Sequence, residues 1–317
     1  KDIYNTVIEE ETKWAKQANL KREWENIKDD VIAAFVISVI AALCIIFIEK
    51  AVKYGKKIIE TKKLKPEEYI EYFRELPEKD ATPGEALYVL EEPYSRFNYY
   101  FGKIFSATLL NLKLKDYIDL KGGKNEKKKE KKYIKKLKEV DNQLKSDEAD
   151  ILRFVYRANK SKDEIEIKEL EKYIKNHSSS VLSLIENSKK HIESQLKSQG
   201  IIDESAKKQY QDYSGIASTY FTFAIVTLFW AFPLINGILC SRLRKKANVL
   251  TQKGVNLKEK WKGLKKYMED FSLLNEKEIP AIEVWEHYLV YATAFGIADK
   301  VLKQLKTIYP NIDEIDT

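Results

Sequence analysis

Cysteine is nearly absent from this 317-residue chain: there are two, Cys44 and Cys240, each inside a hydrophobic run. Thiols so placed argue no disulfide framework and read as small apolar fillers, not as reactive or metal-binding groups. Histidine is scarce as well, and His177, His191 and His287 lie far apart. A helical zinc pair needs a second histidine four residues on, and after His287 that position is Tyr291. There is no glycine-rich phosphate loop either, since Gly122-Gly123 has no strand-to-helix context and reads as a turn. Carboxylates are many, but they sit in charge-rich helical stretches where a solvated face is the default. The chain therefore reads as a non-enzyme, with no catalytic residue, no metal site and no cofactor expected. It also lacks an initiating methionine and a signal-peptide pattern, and reads as a piece of a longer protein.

Charge and two long apolar runs are what the chain does have. Val31 to Ile48, VIAAFVISVIAALCIIFI, carries no charge and one hydroxyl, Ser38. At 1.5 Å per residue a helix of that length spans roughly 27 Å, close to the hydrocarbon thickness of a bilayer. A soluble core helix this long would show a polar face, so the run reads as transmembrane and the lipid bilayer as a partner. Tyr213 to Ser241 is also uncharged but is interrupted by Pro233 and Asn236-Gly237. It fits either one tilted span or a short re-entrant hairpin. The basic flanks bear on orientation. Lys16, Lys21, Arg22 and Lys28 precede the first run, while Lys50, Lys53, Lys56, Lys57, Lys62 and Lys63 follow it. Lys207 and Lys208 precede the second run, which Arg242, Arg244, Lys245, Lys246 and Lys253 follow. These flanks place the N-terminus outside the cell membrane, and the middle and C-terminal regions both in the cytoplasm if 213–241 turns back as a hairpin.

The fold class expected is a mainly α membrane protein, with transmembrane helices, a cytoplasmic tandem winged-helix-like domain and a C-terminal helical bundle. Residues 1–30 form a membrane-leading helix, with Trp24 placed to anchor at the headgroups. The span follows at 31–50, then a basic juxtamembrane helix at 51–65 that stops before Pro66. A first winged-helix-like unit covers 66–140. In it Thr82, Pro83 and Glu85 form a capping-box helix start, FNYYFGKIF and SATLLNLKLK form two further helices with Ser106 capping the second, and a hairpin surrounds KGGKNEKKKE. A second unit at 141–212 has helices in SDEADILRFVYRA, IKELEKYIKNH and the stretch up to Gly200, with its wing reduced to Ile201-Ile202. The span or re-entrant hairpin at 213–241 comes next, and cytoplasmic helices at 242–317 complete the chain.

Ten lysines and three glutamates crowd residues 121–139, a net +7 that equals the charge of the whole chain. Lys121, Lys124, Lys127, Lys128, Lys129, Lys131 and Lys132 are thus candidates for contact with an anionic surface, either lipid headgroups or nucleic-acid phosphate. A solvated hairpin is the bland alternative and the favoured one, because the patch has no arginine and only Tyr133 for base stacking. Nucleic acid is possible but unsupported. A protein partner or self-association is the preferred use of winged-helix-like units here, since the stretch 106–115 offers only Asn111, Lys113 and Lys115 to bases.

From Tyr288 to Ala298 eleven residues carry no charge, and at about 100° per residue they cover every face of a helix. Lys258 to Leu274, with Trp261 and Asp270, precedes Val284 to Leu305, which holds Trp285, Glu286, Tyr288, Leu289, Tyr291, Ala292 and Gly296. This pair resembles the C-terminal signature of the YciQ-like family of predicted membrane proteins (domain of unknown function 2207). TPGEALYVL and EEETKWAKQANLKRE are similar to family segments on either side of the first span. The resemblance implies an N-terminal extracytoplasmic β-rich domain outside this chain, a cytoplasmic region between membrane segments, and no catalytic residues. Ala292 and Gly296, four apart, are expected to allow close backbone approach, while Trp261, Trp285, Tyr288 and Tyr291 supply packing mass. The helix is expected to dock on the soluble domain, the Trp261 helix and the inner ends of the spans.

Overall fold

The structure is a computed structural model and describes residues 2–124, 130–159, 163–227, 231–271 and 282–308. In chain order the elements are α1 (Asp2–Glu60), α2 (Pro83–Glu91), α3 (Phe97–Leu114), β1 (Ile118–Lys124), β2 (Glu130–Lys136), α4 (Ser146–Ala158), β3 (Glu164–Glu166), α5 (Ile167–Asn176), α6 (Ser178–Ser198), α7 (Glu204–Val226), α8 (Ala231–Lys246), α9 (Gln252–Asp270), α10 (Ile282–Phe295) and α11 (Ala298–Ile308). The protein is mainly helical and divides into two units, residues 1–63 with 208–247 and residues 64–207 with 248–317.

In the first unit, the leading helix, the apolar run and the basic stretch are one continuous helix, α1, with no proline along it. The basic part ends at Glu60, short of the expected 65. Among the described residues α1 is the one helix long and apolar enough to cross a membrane, and none of its most apolar window is buried by protein. Leaving that much hydrocarbon in water would cost about 25 cal/mol per Å2. The second apolar run is shared between α7 and α8, which run antiparallel: Phe221 lies against Gly237, and Arg244 meets Ser214 (3.3 Å) and the Tyr210 ring. Both pack on the C-terminal half of α1, where Phe47 has Tyr220 and Phe223 ring centroids 6.0 Å away and Asn236 donates to the Phe47 carbonyl (3.0 Å). Counted from Tyr213, the α7 arm rises roughly 21 Å, and the α8 arm to Ser241 about 17 Å, both below the ~30 Å hydrocarbon thickness. Where α1 and α8 end, Lys246 donates to the Ile58 and Thr61 carbonyls and Lys63 to the Ala247 carbonyl (3.4 Å). Cations on terminal carbonyls offset the negative ends of both helices.

The second unit has its own core. Every residue of α2 from Pro83 to Leu90 is buried, and α10 packs across α2, α3 and α9. β1, β2 and β3 form an antiparallel sheet in that order, with Leu120 opposite Ile134 and Ile134 opposite Ile165. Ile118, Ile134 and Ile165 are buried, so the pleat's period of two turns one face inward. Residues 64–82 have no regular structure and run along α9. Leu64 N donates to Asn248, Glu67 pairs with Asn256, Lys266 with Glu71 (2.7 Å), and Tyr72 donates to Asp270. Residues Gly200 to Asp203 are stitched to 249–251 by an Ile202–Leu250 bridge and by Asp203 N to Val249 O (2.8 Å). At Gly254 a Cβ would stand 2.5 Å from the Ile201 carbonyl oxygen, so only glycine fits there.

Several expectations are corrected. Ser106 caps nothing: it lies inside α3, one continuous helix, so two helices rather than three precede the hairpin. Hydrophobic residues at helical spacing on both sides of Ser106, among them Phe101, Ile104, Ala107 and Leu112, are buried on one side of that helix and override the local cap signal. The units expected at 66–140 and 141–212 share one sheet, because β3 pairs with β2, so the boundary at 140/141 does not separate two bodies. Ile201-Ile202 is no wing but a bridge partner of Leu250. The continuous helix expected through Ala298 breaks at Gly296 (φ +73°) into α10 and α11. Ile297 N bonds Ala292 O (2.9 Å) and Gly296 N bonds Thr293 O (3.1 Å), the double bond of a Schellman cap. Gly296 therefore terminates the helix and does not smooth one of its faces, as had been expected.

Candidate functional site

The helix starts explain how the charged centre of the second unit forms. Thr82 caps α2: Glu85 N donates to its hydroxyl (3.2 Å), and Thr82 N donates to Glu85 Oε2 (2.7 Å). In α4 the same reach brings Glu148 back to Lys145 N (3.2 Å). Acids in the first turn suit the positive end of each helix. The fold joins the two starts, since the Thr82 hydroxyl also donates to Asp147 Oδ2 (2.7 Å). Lys145 Nζ reaches Glu85 Oε2 (2.7 Å), and Gln199 Nε2 from the end of α6 reaches Glu85 Oε1 (3.1 Å). Lys115 Nζ sits 2.7 Å from Glu148 Oε1, which also accepts from Asn111 Nδ2 (2.7 Å).

Glu85, Asp147 and Glu148 are buried, at 2%, 1% and 0% exposure. Three carboxylates thus share two lysines. Burial pushes the Asp147 carboxyl up to about 6, the Thr82 hydroxyl opposes that shift, and the Glu148 and Glu85 charges add to it. The cluster can therefore take up or release a proton near that pH. Its acids stood plainly in TPGEA and SDEAD, and the capping box was readable at Thr82. Nothing in sequence spacing signalled that the two helix starts meet.

The expected packing residues come together in this unit. Trp261 and Trp285 are each 1% exposed, and Tyr288, Tyr291 and Ala292 are buried. Trp261 and Tyr291 rings lie 5.0 Å apart, and Trp285 lies 5.4 Å from Tyr288 and 4.6 Å from Phe271. The phenol tips are tied to the 64–82 segment: Tyr288 donates to the Arg74 carbonyl and Tyr291 to the Ala81 carbonyl (2.8 Å). Burial first, then the Glu148, Glu85 and Asp80 charges, raises the Tyr291 hydroxyl far above its ordinary value, so it stays a donor. Gly296, at the end of α10, lies against the Lys103 side chain.

The lysine candidates are not gathered into a comparable site. Lys127, Lys128 and Lys129 lie outside the described residues, and for Lys124 the structure describes the strand position alone. Lys131 is paired with Glu166 (2.7 Å) and Lys121 with Asp119 (3.8 Å), while Lys135 lies opposite Glu164 across the sheet. Lys132 is exposed. Acids thus offset much of the described hairpin's charge. No group of three or more His, Cys, Asp or Glu side chains placed to hold a metal ion occurs among the described residues.

Residues 69–305, about three quarters of the chain, match the model of a family described as predicted membrane protein (DUF2207), C-terminal domain. No curated protein and no solved structure matches.

Proposed function

The chain belongs to the DUF2207 family of predicted membrane proteins, and from that premise we propose that it is a membrane-anchored, non-enzymatic relay or anchoring component whose second unit engages a protein partner or another copy of itself. The observation that carries this reading is α1. No residue of its most apolar window is buried by protein, even where α7 and α8 touch Phe47, while the second unit closes a core of its own. In this reading Val31 to Ile48 crosses the cell membrane with the N-terminus outside, and the α7–α8 pair re-enters from the cytoplasmic side. The second unit is cytoplasmic. Two features support the re-entrant form: the arms are shorter than a bilayer, and basic residues flank both of its ends.

The relay reading rests on connectivity. The residues after α1 run directly into the 64–82 segment, which the Tyr288 and Tyr291 hydroxyls hold and which ends at Thr82, the cap shared by Glu85 and Asp147. A winged-helix-like reading is supported by strand order. From β1 the chain runs hairpin, α4, β3, α5, α6, with β3 beside β2, and α5 and α6 are joined through His177 alone. That is a helix–strand–helix–helix order with its wing placed first.

Photo-crosslinking from exposed positions of the full chain in membranes, such as Leu182, Tyr99 and Lys132, tests the interaction. Discrete protein adducts are expected, and none from any position argues against it. The second reading, nucleic-acid binding by the hairpin lysines, has the net +7 of residues 121–139 in its favour. The Glu166, Asp119 and Glu164 partners count against it. Tight DNA binding by the full chain in neutral detergent, falling steeply with salt, would make that reading prevail.

A further inference from the structure

A cavity of about 200 Å3 lies in the second unit where the end of the 64–82 segment, α2, α6 and α9 meet. Its wall carries both signs of charge, with Glu78 and Asp80 on one hand and Lys145 and Lys253 on the other. Both ammonium groups are fixed in place: Lys145 Nζ on Glu85 (2.7 Å), and Lys253 Nζ on the Gln199 carbonyl (3.0 Å). Each keeps further N–H donors, since an ammonium has three. Among the described residues neither the Glu78 nor the Asp80 carboxylate takes part in an ion pair. Val89, Leu257 and Trp261 give the rest of the wall an apolar character. A cavity of about 150 Å3 admits benzene, so this one, at about 200 Å3, admits a molecule of roughly eight non-hydrogen atoms, the size of a small aliphatic amino acid.

We propose that this cavity binds a small zwitterion with an apolar body, the chemistry of a free aliphatic amino acid. The ligand's ammonium is met by Glu78 and Asp80, its carboxylate by Lys145 and Lys253, and its hydrocarbon by Val89, Leu257 and Trp261. A plain anion would meet three carboxylates with Glu85 included, and a plain cation would meet two lysines. A ligand carrying both charges satisfies both sets, which is how the wall discriminates. Because the lining comes from four separate parts of the chain, the bound ligand ties them together and stabilises the unit by mass action.

Titration calorimetry and thermal melting of the full chain in detergent micelles test this with four probes: L-leucine, L-valine, N-acetyl-L-leucine and L-leucinamide. The two zwitterions are expected to bind at one site and raise Tm, and the two blocked analogues to bind at least about tenfold more weakly, a loss of about 1.4 kcal/mol. Asp80 and Lys253 are exposed and their replacement leaves the core intact. Lys253→Met should weaken leucine while leaving leucinamide unchanged, and Asp80→Asn should weaken leucine while leaving N-acetyl-leucine unchanged. The proposal is overturned if neither zwitterion binds at up to about 10 mM, corresponding to roughly 2.7 kcal/mol of binding. It is equally overturned if the blocked analogues bind as well as leucine, or if both variants bind leucine as the parent does.

Discussion

Replacing Asp147 by Asn tests the charged centre most directly. Asp147 is buried where three carboxylates share two lysines, and its carboxyl titrates at about 6 against an ordinary 3.8. Its folded value lies above the unfolded one. Between those two values the folded state therefore holds the proton more tightly, and stability is lost as pH rises through the window. Every tenfold change in proton affinity between the two states corresponds to about 1.36 kcal/mol, so the ionised carboxylate costs the fold about 3 kcal/mol at pH 8. Asn removes the charge and keeps the shape. Its amide oxygen can still accept from the Thr82 hydroxyl, and its Nδ2 can donate to the buried Gln195 Oε1, which has no hydrogen-bond partner, once the Gln195 amide is turned over. Chemical unfolding of the full chain in micelles, followed from about pH 4 to pH 8, is the assay. Asp147→Asn should match the parent near the acid end, exceed it by roughly 2–3 kcal/mol at the alkaline end, and flatten the pH slope between. A variant that is less stable than the parent at pH 8, or one with the parent's slope, would show that the charge is not what Asp147 costs the fold.

Gly296→Ala should cost about 1–2 kcal/mol, because the residue holds φ +73° and its new Cβ would stand 2.5 Å from Lys103 Nζ. Unchanged thermal melting would refute the cap assignment. Tyr291→Phe leaves the Ala81 carbonyl without its phenol donor and should lower stability by about 1–2 kcal/mol, with faster proteolysis within residues 64–82 as the specific sign. If proteolysis speeds up elsewhere and not there, the hydroxyl does not hold that segment. Ile40→Lys places a cation at the middle of the apolar run and should cost roughly 3 kcal/mol of insertion, read as the fraction resisting carbonate extraction. Full retention would contradict residence of that run in hydrocarbon.

Local, periodic signals were the legible ones. The Thr82–Pro83–Glu85 start, the existence of a hairpin and the aromatic weight of Trp261, Trp285, Tyr288 and Tyr291 are all present, but Gly122-Gly123, expected as the turn, lie within β1 opposite Lys132 and Lys131. Ser106 misled because hydroxyls cap helices only where the chain is free to end, and the buried side of α3 held it helical through that point. Gly296 carried two meanings in sequence, a small face or a stop. The positive φ and the two Schellman bonds decide for the stop.

By itself the sequence determined that this protein has a lipid-length apolar helix, because eighteen uncharged residues in a row have few other places to go. It also determined which aromatic side chains would be buried and where the first helix of the second unit begins. Tertiary structure alone decided that Thr82, Glu85, Asp147 and Glu148 share one buried centre, that β3 completes the hairpin's sheet, and that a doubly charged cavity lies over Trp261. Those arrangements join residues about 30 or more apart in the chain or pieces from four elements. Local propensity has no reach over such separations, and only the packing of a common core brings them within hydrogen-bond distance.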